Sequence, residues 1–557
     1  MIFRYKLCFG LAMSLAASAV FAAAQPAPAS PLAGEIRARV QAPLPKGQQG
    51  LPPAGNSLRS SESLRRFYQE RGFEPAWLDA AGRPVALAGE LLDTGIVSDA
   101  EGLSPADYHL ARATELLERM QAPGLAVPEQ AELDLLLSDA FLTYARHLQH
   151  GRVAPQGAFK QFAARAPGVD EAALLAKALR EKRVKPSLLA LAPRHPGYAA
   201  MKQALADYRE LATYPPPPKL ESDVTLKLGD SGPDVALLRR LLSVNGDLQT
   251  EDIVNEAFDA DVEAAVRRFQ SRHALEVDGV VGARTEAQLN VPIKTRIRQI
   301  EMNLERWRWL PASLAPRYVM VNIAGFRLDV FERDQPVLGM RTIVGKDLQA
   351  TPVIAGHLSQ IVLNPYWSVP QSIASKELLQ KIRSDSKYLE REAMRVYAGG
   401  REGMKEVDPK AVPWQRFTEK SFPVSLRQDP GPRNPLGRIK FVFPNRHDVY
   451  LHDTSNPELF GAGIRGFSHG CIRVEKPLEL ASYLLQADPA WGRENIRTAI
   501  GTKATQTIPL PRHLPIYILY WTAWADEAGR MHFGEDIYGQ DRQLESLLFN
   551  PVLVTQR

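Results

Sequence analysis

A cysteine and a histidine in the carboxyl-terminal third of the chain have the types and spacing that nucleophilic chemistry requires. Cys471 ends the polar run Ser468-His469-Gly470-Cys471, and His452 lies upstream of it. A cysteine attacks as the thiolate, yet an unperturbed thiol is ionised to only about a few per cent at neutral pH, so a neighbouring base is needed. We therefore predict that Cys471 is a nucleophile and that His452 is the base that activates it for acyl transfer.

The residues around His452 alternate in the way that a β-strand does. Val449 and Leu451 are apolar and suit a hydrophobic core. Successive side chains of a strand point to opposite sides, so the other face carries Asp448, Tyr450 and His452. The pattern predicts that His452 faces solvent or a cleft.

The turn that carries Cys471 offers further groups for this chemistry. The backbone N–H groups of Gly470 and Cys471 could stabilise the oxyanion of an acyl-transfer intermediate. Arg473 could bind a substrate carboxylate through two hydrogen bonds, or it could bond backbone carbonyls, and we favour the second role.

Two other interpretations of these residues stay open. A free cysteine is often a small buried hydrophobe, but the polar neighbours of Cys471 argue against a core position. Cys471, His452 and His469 could also ligate zinc, although the sequence lacks a clear fourth ligand and the usual ligand spacing. We expect neither a metal nor an organic cofactor, and the residues alone indicate a cysteine acyltransferase or peptidase.

Composition limits the classes of protein to which the chain can belong. It has 557 residues, of which 45% are hydrophobic and 24% are charged, as is ordinary for a soluble globular protein of several domains. The formal net charge of +5 excludes the strong positive field of a nucleic-acid-binding protein, so we expect no nucleic-acid partner. The chain has 2 cysteines, too few for a disulfide-rich scaffold.

Residues 1–24 have the pattern of a cleaved secretory signal peptide. Arg4 and Lys6 precede an apolar run from Leu7 to Phe21, and small alanines follow it. The run is shorter than the roughly 20 residues that a membrane-spanning helix needs, so a membrane anchor is the less favoured interpretation. Export would remove Cys8 and leave Cys471 as the remaining thiol in an oxidising compartment.

Changes of pattern divide the rest of the chain. The run from Pro215 to Pro218 suits neither a helix nor a central strand and should separate two domains. After Pro311 the apolar period changes from helical to two, and Ala324-Gly325 forms the turn of a predicted hairpin. We predict a flexible Pro/Ala-rich tether at 25–57, a helical domain at 58–214, a three-helix module at 224–291, a connecting helix at 292–316, a mainly-β domain at 317–540 and a C-terminal tail at 541–557.

The β domain is interrupted by a segment of different character. Residues 371–432 combine a helical pattern from Ile373 to Ile382 with polar turns. The pattern predicts a helical insertion over or beside the sheet, and long insertions of this kind often act as lids.

The spacing of the chemical residues resembles a known catalytic signature. His452, fifteen intervening residues and the run from Ser468 to Arg473 are similar to the signature of the L,D-transpeptidases of the YkuD-like family. The resemblance implies that Cys471 is the nucleophile, His452 the general base and later acid, and the loop at Gly470 and Cys471 the oxyanion hole. As substrate-binding candidates we name Tyr450, Arg473, Ser468, His469 and Trp367, with aromatic core filling as the alternative for the tyrosine and the tryptophan.

The resemblance extends to the other predicted domains. Residues 224–291 are similar to a peptidoglycan-binding module, with a helical bundle that only supports its neighbours as the alternative. Phe67-Tyr68 and the run from Pro75 to Trp77 resemble the scaffold of long Gram-negative enzymes, and the run from Glu305 to Trp309 resembles the same subgroup. The resemblance implies a multidomain α+β protein with a helical N-terminal scaffold, a three-helix peptidoglycan-binding module and a mainly-β L,D-transpeptidase domain that carries a helical capping insertion.

The resemblance also implies a function. We expect a periplasmic enzyme that forms third-to-third cross-links between diaminopimelate residues of peptidoglycan tetrapeptide stems, which serve as donor and acceptor. Carbapenems would be covalent inhibitors, and other cell-wall synthesis proteins would be partners. Three alternatives stay open: an L,D-carboxypeptidase or endopeptidase, a transpeptidase that attaches lipoproteins, and a non-catalytic peptidoglycan-binding protein.

Overall fold

The computed structural model describes residues 30–43, 58–120, 125–153, 168–221, 225–249, 252, 254–400 and 403–549. The predicted signal peptide at 1–24 lies outside these residues, as do parts of the predicted tether and tail. Among the residues described, every helix is too short or too polar to cross a membrane.

The amino-terminal domain is a helical bundle built around one long central helix. That helix, α5 (Val127–His150), is buried along most of its length, and its buried carboxylates are paired, Glu132 with Arg112 and Asp139 with His109. Asp134 accepts hydrogen bonds from the Tyr68 hydroxyl (2.6 Å) and the Trp77 backbone N–H (2.8 Å), which explains two of the motifs singled out in the sequence. The helices are α1 (Pro31–Gln41), α2 (Ser61–Glu70), α3 (Ala86–Val97), α4 (Leu110–Arg119), α5 (Val127–His150), α6 (Glu171–Glu181), α7 (Val184–Leu189) and α8 (Pro196–Leu211).

The prediction of a flexible tether is wrong for part of its length. Residues of α1 are packed into the helical domain, and Ser30 Oγ caps the helix by accepting from the Ala33 N–H (3.1 Å). Proline at the first helical position is favourable because its missing N–H would have no partner there. The composition of the segment hid an apolar face at three- and four-residue spacing, formed by Leu32, Ala33, Ile36 and Val40.

The second module is a three-helix unit, as predicted. Its helices are α9 (Pro233–Val244), α10 (Ala260–Arg272) and α11 (Ala283–Leu289). They enclose a separate small core in which Leu238, Val266 and Phe269 are fully buried. Arg272 attaches this module to the catalytic domain by donating to the Met531 carbonyl (2.5 Å).

The connecting helix α12 (Ile293–Trp307) and the residues after it join all the domains. Trp307 packs at a tilt against Trp521 of the carboxyl-terminal domain (ring centroids 4.3 Å apart) and stacks on His195 of the helical domain (4.8 Å). The Arg308 guanidinium is fully buried, pairs with Glu305 (3.1 Å) and donates to the Glu101 carbonyl. The motif from Glu305 to Trp309 is therefore a structural junction.

The carboxyl-terminal domain is built on a nine-stranded sheet that closes on itself. The strand order is β11-β3-β12-β10-β9-β4-β13-β1-β2, and β2 also pairs with β3. The predicted hairpin is β1–β2, with Val319 opposite Val330. The strands are β1 (Arg317–Asn322), β2 (Arg327–Glu332), β3 (Gln335–Gly345), β4 (Ile354–Leu363), β5 (Trp367–Ser368), β6 (Met394–Gly400), β7 (Gly403–Val407), β8 (Val424–Gln428), β9 (Ile439–Val442), β10 (Leu451–His452), β11 (Gly466–Ser468), β12 (Ile472–Val474), β13 (Gln506–Leu519), β14 (Ala523–Ala525) and β15 (Met531–Phe533).

The insertion is mixed α/β, so the prediction of a helical insertion is incomplete. Its helical half comprises α13 (Gln371–Ile373), a π-helical turn (Ala374–Leu378), α14 (Leu379–Ser384) and α15 (Tyr388–Arg391). Its other half is a four-stranded antiparallel sheet in the order β5-β8-β6-β7. Both halves share a core of their own that includes Leu379, Val396 and Leu426.

Three further helices complete the catalytic domain. They are α16 (Pro477–Leu484), α17 (Arg493–Gly501) and α18 (Gln540–Phe549). The last of these occupies most of the predicted tail, where Leu544 and Leu548 pack against Met302 and Trp309. The tail is thus partly an ordered helix, because its apolar side chains cover the junction around α12.

Candidate active site

Three strands place the candidate residues at one register position. In β9, β10 and β12, Lys440 lies opposite His452, and His452 lies opposite Arg473. Directly opposed residues of paired strands share a face. The same register sends Leu451 into the core beside Ile472, as the sequence pattern predicted.

The structure corrects two details of the predicted strand. Only Leu451 and His452 belong to β10, and Asp448 has a left-handed φ of +52°, which ends the extended alternation upstream. His452 is also buried, with 4% of its surface exposed, so it does not face open solvent.

Tyr450 joins the cysteine to the histidine. Its side chain and its backbone lie close enough to the thiol to lower the pKa of Cys471, and its ring lies 5.7 Å from the His452 ring, measured between centroids. The Cys471 thiol also reaches the Asp448 carbonyl, with 3.8 Å between Sγ and the oxygen. Cys471 is half-buried, so its environment is neither the core nor the bare surface.

A backbone carbonyl orients His452. The Nδ1 atom lies 2.6 Å from the Asp453 carbonyl oxygen, and a carbonyl only accepts hydrogen bonds. The neutral ring therefore carries its proton on Nδ1 and leaves Nε2 free to accept one. This is the tautomer that a general base requires.

Burial keeps both groups uncharged in the resting site. It raises the pKa of the Cys471 thiol, although Tyr450 and the charge of Lys440 act in the opposite direction. Burial, aided by the positive charges of Arg473 and Lys440, lowers the pKa of His452 to about 3. At neutral pH the site therefore holds a thiol beside a neutral imidazole, and proton transfer must accompany attack on the substrate.

The loop before Cys471 is fixed by side-chain hydrogen bonds. Ser468 Oγ donates to the Cys471 carbonyl (2.5 Å) and accepts from the Gly470 N–H (3.0 Å). Gly470 adopts a φ of +110°, a conformation that side chains disfavour. The Gly470 N–H already donates to Ser468 Oγ, so it could stabilise an oxyanion only if the loop rearranged. The two hydrogen bonds of Ser468 hold the loop in its present conformation.

Thr351 also belongs to this site, although we predicted no role for it there from the sequence. Its Oγ1 donates to the Gly470 carbonyl (2.9 Å) and accepts from the Gly345 N–H (2.9 Å). The hydroxyl thus ties the catalytic loop to the end of β3.

Replacing Thr351 with valine should loosen this loop. The isosteric change leaves two backbone groups without their partner, which costs about 1–3 kcal/mol. We expect a lower melting temperature and slower alkylation of Cys471 by iodoacetamide. Thr342→Val is the matched control, because the buried Thr342 Oγ1 has no partner among the described residues and its loss should be neutral. Equal effects of the two changes would contradict a loop-fixing role.

His469 contacts the insertion. Its Nε2 lies 2.6 Å from Glu377 Oε1 on the π-helical turn, which joins the catalytic loop to the insertion. Trp367, another predicted substrate-binding residue, is half-buried and packs against the core of the insertion. Trp367 therefore fills the core of the insertion, which was the alternative to substrate binding. His469 links the loop that carries Cys471 to the insertion.

Arg473 does not fill the structural role that the sequence favoured. Its Nε is buried without a hydrogen-bond partner, and in the described part of the chain its guanidinium bonds no backbone carbonyl. Burial lowers its pKa, while Cys471 and Glu458 act to raise it. The site therefore contains a cation with unused donors close to the nucleophile.

The zinc interpretation has no support in the described residues. They contain no group of three histidine, cysteine or carboxylate side chains that could hold a metal ion. His469 in particular is bonded to the insertion.

Comparison with known families identifies the domain that bears this site. Residues 316–502 match the family model described as "L,D-transpeptidase catalytic domain". They form a YkuD L,D-transpeptidase catalytic domain. Two further models match the amino-terminal half: a "Scaffold domain" at residues 62–205 and a "Putative peptidoglycan binding domain" at residues 231–289. The predicted family and its three kinds of domain are confirmed.

Individual relatives agree with this assignment over part of the chain. A "Putative L,D-transpeptidase" of Haemophilus influenzae is 34% identical over 257 residues, which cover 46% of this chain and 51% of that protein. A protein of Bacillus subtilis named "Carboxy-terminal processing protease CtpA" is 27% identical over 106 residues, or 19% of this chain and 21% of its own length. The chain thus spans about half or less of the length of these curated relatives.

Solved structures also include L,D-transpeptidases. One from Xylanimonas cellulosilytica is 15% identical with a TM-score of 0.17, and the match covers 55% of this chain and 100% of that one. One from Stackebrandtia nassauensis is 12% identical with a TM-score of 0.20, covering 54% and 96% respectively. Scores this low do not establish a common fold, so the assignment depends on the family models and the sequence relative.

Proposed function

We propose that this protein is an exported, periplasmic L,D-transpeptidase that forms third-to-third cross-links in peptidoglycan through a thioester on Cys471. The observation that carries the proposal is the arrangement around the thiol within a domain of this family. Tyr450 lies between the thiol, whose pKa it lowers, and His452, which the Asp453 carbonyl holds in the tautomer of a base.

The first half-reaction forms the acyl-enzyme. His452 Nε2 accepts the thiol proton as the sulfur of Cys471 attacks the carbonyl of diaminopimelate at the third position of the donor stem. The C–S bond forms, the peptide bond to the terminal D-alanine breaks, and the imidazolium returns its proton to the leaving amine. Burial keeps His452 neutral, so its Nε2 lone pair is present at neutral pH, but the same low pKa makes it a weak base and the thiol needs further activation.

The second half-reaction transfers the acyl group. The side-chain amine of a second stem's diaminopimelate attacks the thioester, His452 takes its proton, and the Cys471 thiol is regenerated. Water competes with the amine at this stage. The insertion is linked to the catalytic loop through Glu377 and His469, so it is well placed to limit the access of water.

Arg473 has the properties of a substrate anchor. Peptidoglycan stems carry several carboxylates, and guanidinium groups bind carboxylates through paired hydrogen bonds. The unpartnered Nε of this half-buried side chain, close enough to Cys471 to influence its charge, favours substrate binding over a structural role.

The other modules fit the same function. A peptidoglycan-binding module would hold the enzyme on its polymeric substrate, and further cell-wall synthesis proteins would be its partners. Carbapenems, which acylate a nucleophile through a strained lactam, would react at Cys471.

Product analysis tests the proposal. The mature chain is incubated with isolated disaccharide-tetrapeptides, and the products are separated and identified by mass. We expect cross-linked dimers that lack one D-alanine, and we expect Cys471→Ala to form none. Shortened monomers alone would indicate a carboxypeptidase, transfer to a lipoprotein lysine would indicate an attachment enzyme, and binding to sacculi without any product would indicate a non-catalytic wall protein.

A further inference from the structure

Lys440 is a charged residue of the site with no role in the mechanism above. It lies on β9, is half-buried, and its Nζ is 3.7 Å from the centroid of the Tyr450 ring. Among the described residues its ammonium group forms neither an ion pair nor a hydrogen bond, and it lies against the aromatic face. Burial lowers the pKa of Lys440, while the nearby Cys471 and Asp448 raise it.

The ring under this ammonium group belongs to a residue that acts on the nucleophile. The Tyr450 side chain lies close enough to Cys471 to lower the pKa of the thiol. A cation on the face of a phenol draws electron density from the ring and makes its O–H a stronger donor. The charge also acts on the sulfur directly, and in a site of low polarity such an interaction is stronger than in water.

We propose that Lys440 is a positioning residue which, through the Tyr450 ring and its own charge, stabilises the Cys471 thiolate. The inference deepens the proposed cysteine mechanism: it explains how a buried thiol whose resting form is neutral can lose its proton to a weakly basic histidine. Lys440 lies against the Tyr450 ring, and it acts on the sulfur through that ring and through its charge across space.

The other charged groups around the sulfur do not replace Lys440. Asp448 lies on the loop before β10. It raises the pKa of Cys471, so it opposes the stabilisation of the thiolate by Lys440. Arg473, on β12, is influenced by Glu458 as well as by Cys471, and we assign it to the substrate carboxylate. From the loop and the insertion, His469 and Glu377 form a pair with each other. His452 is neutral. Lys440 is therefore the cation that lies against Tyr450, the residue through which we propose it acts on the sulfur.

The pH dependence of Cys471 alkylation tests this role without any substrate. The rate of iodoacetamide modification is measured from pH 6 to 11 for the mature wild type, Lys440→Met and Lys440→Arg, with intact mass confirming a single adduct. We expect the apparent pKa of the thiol to rise in Lys440→Met, with alkylation about three- to tenfold slower below that pKa. The rate at the high-pH plateau should be unchanged, and arginine should restore most of the effect.

Two further variants separate the proposal from simpler explanations. Lys294→Met removes an exposed lysine from α12 and should leave the profile unchanged. In a Tyr450→Phe background, Lys440→Met should have a smaller effect than in the wild type, because the hydroxyl that transmits it is absent. If Lys440→Met does not fold, the same double-mutant comparison is made with Lys440→Gln.

An unchanged thiol pKa in folded Lys440→Met or Lys440→Gln would overturn the proposal. A higher KM for tetrapeptide with an unchanged thiol pKa would also overturn it and would assign Lys440 to substrate binding. Because alkylation needs no acyl donor, its result does not depend on whether the enzyme is a transpeptidase or a hydrolase.

Discussion

His452→Gln should lower the kcat of acyl transfer by about 10²–10⁴-fold, the contribution that a general acid–base group typically makes. The buried ring donates from Nδ1 to the Asp453 carbonyl (2.6 Å), so Nε2 alone accepts the proton of the nucleophile. A glutamine amide can still donate to that carbonyl, but it cannot accept and return a proton. The change therefore removes the chemistry and keeps the hydrogen bond.

The measurement is the rate of dimer formation beside a thermal melt of the same protein. Phe443→Leu, a volume-reducing change elsewhere in the core of the same domain, is the control for general loosening and should leave most of the activity. A glutamine variant that keeps more than about a tenth of the wild-type kcat would show that another group acts as the base.

The second large effect is expected at the junction between domains. Arg308 is fully buried and holds Glu305 at 3.1 Å while donating to the Glu101 carbonyl. Burial already raises the pKa of Glu305, and the charge of Arg308 is among the influences that lower it. Arg308→Met leaves these buried groups without their cation, which should cost about 3–5 kcal/mol of unfolding free energy.

Denaturant unfolding followed by tryptophan fluorescence checks this value, since Trp307 and Trp309 flank the position. Arg497→Met is the matched control, because Arg497 forms a surface pair with Glu494 in which both side chains are more than half exposed. Such pairs contribute about 0–1 kcal/mol. If both changes had equally small effects, the junction would not be held by its buried charges.

The sequence predicted much of the catalytic site because periodicity and spacing are local properties. Leu451 faces the core as its alternation indicated, and Tyr450 lies beside His452. The roles predicted for the individual residues stay predictions until the variants are measured.

What the sequence could not provide is the information carried by strand pairing. Nothing in the residues near Lys440 indicates that β9 pairs with β10 so that Lys440 lies opposite His452. The same holds for Glu377, which meets His469 across 92 positions of the chain. A charged residue beside an active site is recognised only once the register of the sheet is known.

Two other errors have compositional causes. The segment before residue 58 was interpreted from its proline and alanine content, which hid the apolar face of α1. In the insertion, the strand β7 is exposed at four of its five positions, so it lacks the alternation that marks a half-buried strand. The sheet is completed where β8 pairs with β6 and with β5, through contacts that are distant in sequence.

The central claim is that Cys471 forms a covalent acyl-enzyme, and intact-mass analysis with a carbapenem tests it most directly. The mature protein and its Cys471→Ala variant are incubated with the inhibitor, and the modified peptide is located by fragmentation. We predict one adduct on the wild type, carried by the peptide that contains Cys471, and none on the folded variant. An unmodified wild type, or an adduct that persists in Cys471→Ala, would contradict the account.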